Sequence, residues 1–435
     1  MLKFFGDFMI YPTTIAVTLV LMALLFVVPR KYFVLPFILG ACFIPSDQRV
    51  IIFDIDFTPL RILIIAGVLR LWLRGEIRSI NWNRFDNLVL SWAFVGAVIY
   101  VMQWRDMRGL IYKCGALYDI IGLYWLYRQS IRSWRDLVFP FKVFAICCLI
   151  LVPFVAYESR TGINPFKVFG RAGTAIREGE YRCAASFPHS IMLGLFWATI
   201  WPIFVALSRL GRHKFLYWAA AAGSVFIIFA TRSSTPIMTW LIVLIVLCGY
   251  RWRQYVGCAS WGLLGSLIAL HIVMEAPVWH LISRVRIIGA STGWHRYHLT
   301  DQGIKHFNEW ALLGCRSTAH WGWGLGDITN QYLLEGVRGG FLSLLLFVAM
   351  VFIACKTLSA LSISCQEPKL RFLTWCLFVT MIGHCVSFLG VSYFGQIHMW
   401  WYMTLAMVSF LTEHKSLQEA TLHKALSGNP LPVVP

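Results

Sequence analysis

Long apolar runs alternate with short polar breaks along almost the whole chain. Runs near 13–28, 32–44, 58–73, 87–102, 109–127 and 138–156 are followed by a second group near 186–208, 215–230, 235–249, 255–274, 338–355, 372–390 and 397–411. Most have the length of a bilayer-crossing helix, about 20 residues. The run at 32–44 is short and either forms a hairpin with the first or spans alone, so the pattern predicts twelve or thirteen transmembrane helices. Two polar stretches interrupt it, 157–185 and 275–337, the second between the tenth and eleventh spans. The organisation expected is therefore helices over 1–156, a loop over 157–185, helices over 186–274, a long loop over 275–337, helices over 338–411 and a polar tail over 412–435. Thr13–Val28 runs into Pro29-Arg30-Lys31 with no small-residue cleavage site, which reads as a retained helix rather than a signal peptide.

Composition agrees with an all-α polytopic membrane protein: 58% of residues are hydrophobic and 13% charged. A net charge of +18 raises the question of nucleic acid, but the basic residues are scattered over loops rather than gathered on one domain, so no nucleic-acid partner is expected. They follow topology instead. The loops holding Arg30/Lys31, Arg70/Arg74/Arg78/Arg84, Arg128/Arg132/Arg135, Arg209/Arg212/Lys214, Arg251/Arg253 and Lys356/Lys369/Arg371 fall on one side, with Lys415 and Lys424 in the tail. The opposite short loops hold only Lys3, Arg49, Arg105, Arg108 and Arg232. The positive-inside rule makes the first side cytoplasmic, so both long loops are external. Most of the 12 cysteines sit in apolar runs as small hydrophobes, and no CxxC pair occurs. Cys183 and Cys315 lie in the two external loops and are a candidate disulfide pair.

Candidate chemistry concentrates in 291–340, STGWHRYHLTDQGIKHFNEWALLGCRSTAHWGWGLGDITNQYLLEGVRGG. Irregular polar backbone cannot face lipid, so this stretch sits in water or lines a cavity. Asp327 can either cap a helix beginning near Ile328 or act as a base. Glu335 and Arg338, three apart, can pair within a helix. His295, His298, His306 and His320 invite a metal reading, and His295 and His298 at i, i+3 could face one ion, but neither HExxH nor a zinc-like Cys/His spacing occurs, and no metal is expected. Trp294, Tyr297, Trp310, Trp321 and Trp323 can stack on sugars or form an interfacial belt. Elsewhere, FATRSSTP at 229–236 sets Arg232 among hydroxyls at a helix start, a position that suits either snorkelling or phosphate. RCAASFPHS at 182–190 brings Arg182, Pro188 and His189 to the start of another span.

Taken in order, a basic external loop, the TRSS turn, the STG…Arg296 segment and GLGDITNQYLLEGVRGG at 324–340 resemble the bacterial O-antigen ligase/polymerase superfamily over roughly 155–411. The resemblance implies a GT-C-like helical architecture in the bacterial cytoplasmic membrane with its site on the external face. It also implies transfer of a glycan from an undecaprenyl-pyrophosphate carrier to an acceptor glycan or lipid, with no cofactor, metal or nucleotide sugar. Two positions depart from the family: its T-x-S-R-G turn is TRSST here, and Thr329 stands where the ligases carry a His before Asn330. Polymerase is therefore favoured over ligase. A pyrophosphate leaving group needs fixed cations and a sugar hydroxyl needs a base. The roles expected are Arg232 and Arg296 on pyrophosphate with Arg182 and Arg338 in support, and Asp327 as base with His320 and His189 behind it. Asn330, Trp294 and Tyr332 are expected to bind substrate. The rival class is a transporter or flippase of lipid-linked glycans, for which Lys113 and Asp119 are the main intramembrane charges.

Overall fold

The computed structural model describes residues 8–52, 55–210, 212–284 and 293–413. The described residues are 77% helical, and among them six helical stretches are long and apolar enough to cross a membrane, an all-α membrane protein. Helices occupy every apolar run. They are α1 Pro12–Val27, α2 Leu35–Phe43, α3 Pro59–Leu73, α4 Arg84–Trp104, α5 Met107–Ser130, α6 Trp134–Thr161, α7 Ser190–Leu210, α8 Lys214–Ala230, α9 Ser234–Cys248 and α10 Val256–Val273. After the short α11 Leu281–Arg284, α12 Gly293–Lys305 and α13 Phe307–Trp310 come α14 Gln331–Ser364, α15 Pro368–Gly390 and α16 Ile397–Glu413. The apolar stretch Ser234–Val273 is not one straight span. A tight turn at Gly249–Tyr255, non-helical at Trp252 and carrying Arg251 and Arg253, divides α9 from α10.

Starts and stops follow local chemistry. Asn83 and Asp86 form a reciprocal capping box on α4, and Ser133 caps α6 by accepting from Asp136 N–H. Arg316 finishes α4 from a distance, donating to the carbonyls of Gln103 and Trp104, each at 2.7 Å. At the centre lies α7, buried along almost its whole length and packed against α8, α9 and α15. Gly194 admits that packing: a Cβ there would stand 2.6 Å from Pro236 at the start of α9. The basic side is held by a buried network in which Asp86 accepts from Arg128 Nε (3.0 Å), Tyr124 (2.5 Å) and Ser409 (2.6 Å), while Arg128 also pairs with Glu413 at 3.0 Å. Satisfaction on every side is what makes an ion pair tolerable at such depth.

The polar stretches are folded, not slack. Strands β1 Phe8–Met9, β2 Arg49–Ile52 and β3 Ile55–Phe57 form a small antiparallel sheet; β4 Ala175–Arg177 and β5 Glu180–Arg182 form a hairpin. Residues 293–337 fold around their own core of Leu299, Trp310, Trp321, Leu325, Ile328 and Val337. This unit joins the helical body through α14, which breaks at Gly340 (φ 68°, ψ 178°). Phe341 N–H donates to the Ala311 carbonyl across the break, at 2.8 Å. Ser291 and Thr292 of the STG segment, Lys3, and Lys415 and Lys424 in the tail lie outside the described residues.

Candidate functional site

The β4–β5 hairpin, the start of α7, the α8–α9 turn and α12 meet at one place. Arg182, ending β5, donates to Ser233 Oγ at 2.7 Å. Arg296, on the first turn of α12, donates to Thr235 Oγ1 at 2.8 Å. Two guanidinium groups from distant segments thus clasp the N-terminus of α9, whose first turn has no side-chain cap. The helix dipole and the exposed backbone donors make such a terminus a place for an anion. The charges are crowded. Burial, reinforced by the Arg177 charge, lowers the pKa of both Arg182 and Arg296. The Nε atoms of Arg171, Arg182 and Arg296 are buried and, among the described residues, hydrogen-bond to nothing. Buried donors in such a state are uncommon in folded proteins and point to a ligand.

Strain collects in the same neighbourhood: Ala185 (φ 47°) and Arg232 (φ 46°) both hold left-handed backbone without being glycine. Glu158, at the end of α6 and fully buried, braces the segment behind Arg182. It accepts from Ala184 N–H (3.2 Å), Ala185 N–H (3.0 Å), Asn164 Nδ2 (3.1 Å) and Thr174 Oγ1 (2.9 Å). Gln396 fixes the next stretch, donating to the carbonyls of Ser186 (2.8 Å) and Ile44 (3.0 Å).

Beside this cluster opens a cavity of about 390 Å³ whose lining includes Trp92, Tyr112, Lys113, Asp327, Gln331, Glu335, Arg338, His398 and Tyr402. Asp327 is exposed, and its charge reaches His189 and His295, opposing the burial that lowers the His295 pKa. His189 also lies edge-on to Phe394, a lining residue, at 6.5 Å. Asp327 therefore stands where the cationic cluster and the cavity adjoin.

The expected residues fall on either side of this arrangement. Arg296 and Arg182 are central to the cluster. Arg232 instead turns outward to Glu180 at 3.3 Å, because its left-handed backbone aims it away from the α9 terminus. Arg338 lines the cavity and donates to Tyr112 (3.0 Å), while Glu335 accepts from Trp92 (2.9 Å) and Gln331 (2.8 Å). The intrahelical Glu335–Arg338 pair is therefore not made. Asp327 caps nothing: Asn330 is the N-cap of α14, accepting from Leu333 N–H at 3.2 Å. That leaves the Asp327 carboxylate open and gives Asn330 a structural task. Tyr332 is packed between α14 and α15 with its hydroxyl on the Cys385 carbonyl, away from the cluster. Trp294 is exposed and stacked on His298 at 4.9 Å. His189 Nδ1 accepts from Ile191 N–H at 3.1 Å, so the neutral ring carries its proton on Nε2 and offers a donor, not a base. His320 is bound to Glu309 at 2.8 Å rather than turned to the cationic cluster.

Cys183 is buried against the Val155 carbonyl and Cys315 lies against Ser317; both are free thiols, so the candidate disulfide is absent. Glu158 went unread in the sequence; a lone carboxylate closing an apolar run was the available signal. No protein-family model and no curated protein matches this chain.

Proposed function

We propose that this protein transfers a glycan from an undecaprenyl-pyrophosphate carrier to an acceptor glycan on the external face of the bacterial cytoplasmic membrane, as a polymerase rather than a ligase. The observation that carries the reading is the pair Arg182–Ser233 and Arg296–Thr235 around the uncapped start of α9. Two forked cations, unpartnered buried N–H groups and a helix N-terminus fit a pyrophosphate better than a single carboxylate or sulfate. In this reading the chain crosses the membrane twelve or thirteen times in a GT-C-like arrangement, its basic loops cytoplasmic and residues 293–337 external. Lipid tails surround the apolar helices, and the carrier's pyrophosphate reaches the cluster at the membrane boundary.

The acceptor occupies the cavity, where Trp92, Tyr112 and Tyr402 present aromatic faces and Gln331, Glu335 and Arg338 present hydrogen-bonding groups. Asp327 takes the proton from the acceptor hydroxyl as its oxygen attacks the anomeric carbon. The bond from that carbon to the pyrophosphate oxygen breaks, and Arg182 and Arg296 hold the charge that develops there. No step requires a cofactor.

The test is transfer by purified protein in vesicles supplied with lipid-linked oligosaccharide. Asp327→Asn removes the base without touching the Asn330 cap, so transfer should fall by about 100-fold or more while pyrophosphate binding persists. Full transfer by a folded Asp327→Asn variant would remove Asp327 from the mechanism.

A second reading, a flippase, is favoured by one feature: Lys113 is largely buried beside Glu335 and Arg338 in the cavity wall. Movement of the intact lipid-linked glycan across the vesicle, with no new glycosidic bond, would support it.

A further inference from the structure

The 293–337 unit carries a second set of reactive side chains to which the proposed glycan transfer gives no role. His306 follows α12, Glu309 lies in α13, and Cys315 and His320 lie in the loop beyond. One ligand atom each from Glu309, Cys315 and His320 falls within 4.8 Å of the other two. His320 Nε2 is 2.8 Å from Glu309 Oε2, and His306 Nε2 is 3.9 Å from Glu309 Oε1.

The orientation of His306 is the telling feature. Its Nδ1 lies 2.9 Å from the Gln302 carbonyl, an acceptor only, so Nδ1 holds the ring proton. Nε2 of the neutral ring is then an acceptor standing 3.9 Å from a carboxylate oxygen, another acceptor. An imidazole whose far nitrogen donates to a backbone carbonyl is how proteins preset a metal-ligating histidine. The ring is held further by stacking on Trp321 at 5.2 Å and 16°, and Trp321 Nε1 donates to Glu309 Oε2 at 3.0 Å, orienting the carboxylate.

We propose that His306, Glu309, Cys315 and His320 bind one divalent ion of the zinc class. Two imidazoles, a carboxylate and a thiolate suit a borderline-soft ion in a four-coordinate shell and do not suit calcium or magnesium. For Glu309, Cys315 and His320, contraction from within 4.8 Å to the roughly 3.2–3.8 Å between ligand atoms of a tetrahedral shell is within reach of side-chain rotation, and His306 joins them by rotation from its place 3.9 Å from Glu309. The ion's two charges are matched by the carboxylate and the thiolate. Its effect is to fasten the end of α12, which carries Arg296, to the loop that leads to Asp327. The ion touches no reacting group, and the proposal stands independently of the glycan-transfer reading.

The test uses tag-free full-length protein in detergent, stripped with chelator and titrated with zinc against a chromogenic competitor, then with cobalt in the spectrometer. One ion per chain is expected. Cobalt should show a thiolate-to-metal band that Cys315→Ser abolishes, and His306→Ala should weaken zinc by about tenfold to a hundredfold or more. His320 is exposed, so His320→Ala keeps the test usable if Cys315→Ser fails to fold; it too should weaken zinc. Absence of stoichiometric binding, or binding unchanged in His306→Ala and His320→Ala, would overturn the proposal.

Discussion

Glu158→Gln probes the brace behind the cationic cluster. Oε1 accepts three hydrogen bonds, from Asn164, Thr174 and Ala184, and Oε2 accepts the fourth, from Ala185. A glutamine keeps one carbonyl oxygen, best placed toward the three donors. Its NH2 then meets the Ala185 N–H, donor against donor, in a fully buried position. Losing a hydrogen bond to a charged group costs about 1.5–3 kcal/mol, and the remaining three weaken as their acceptor becomes neutral. Removing a buried charge offsets part of this, so a net loss of about 2–3 kcal/mol is expected. At roughly 2 °C per kcal/mol for a chain this large, the thermal transition should fall by about 4–6 °C. Intrinsic tryptophan fluorescence in detergent, at matched scan rates, measures it. Because Arg182 adjoins the braced segment, pyrophosphate affinity should fall in parallel. A Glu158→Gln protein that melts within about 1 °C of the parent and binds pyrophosphate equally well would refute the brace.

Gly340→Ala should destabilise by about 2 kcal/mol or more, since its left-handed φ disfavours any Cβ and an added one would meet the Leu312 carbonyl oxygen; the same thermal assay reads it. Reporter fusions should place Arg253 in the cytoplasm and an insertion at Trp323, which is 96% exposed, outside it; the reverse pattern would dismantle the proposed orientation.

Helix positions were legible because a run of about 20 apolar residues has few alternatives in a bilayer. Every predicted run contains a helix. Partners were less legible. Asp327 and Asn330 are both good caps three residues apart, and only the backbone decides between them. Arg232 and Arg182 look equivalent in sequence, yet a left-handed φ sends the first to Glu180 while the second reaches Ser233, 51 residues away. Glu335 and Arg338 satisfied the helical spacing rule but found better partners on α4 and α5, Trp92 and Tyr112. His306 and His320 invited a metal reading that their spacing argued against; Glu309 and Cys315 were not read with them, because only the fold of the loop draws Glu309, Cys315 and His320 together.

Binding of undecaprenyl pyrophosphate, with inorganic pyrophosphate as a second probe, tests the central claim most directly. The protein should bind both, and Arg182→Ala/Arg296→Ala should weaken binding by about 100-fold or more, two charge-assisted contacts at about 1.5–3 kcal/mol each. Arg232→Ala should change it little, since that side chain is turned to Glu180. A folded double variant that binds pyrophosphate as tightly as the parent would contradict the account.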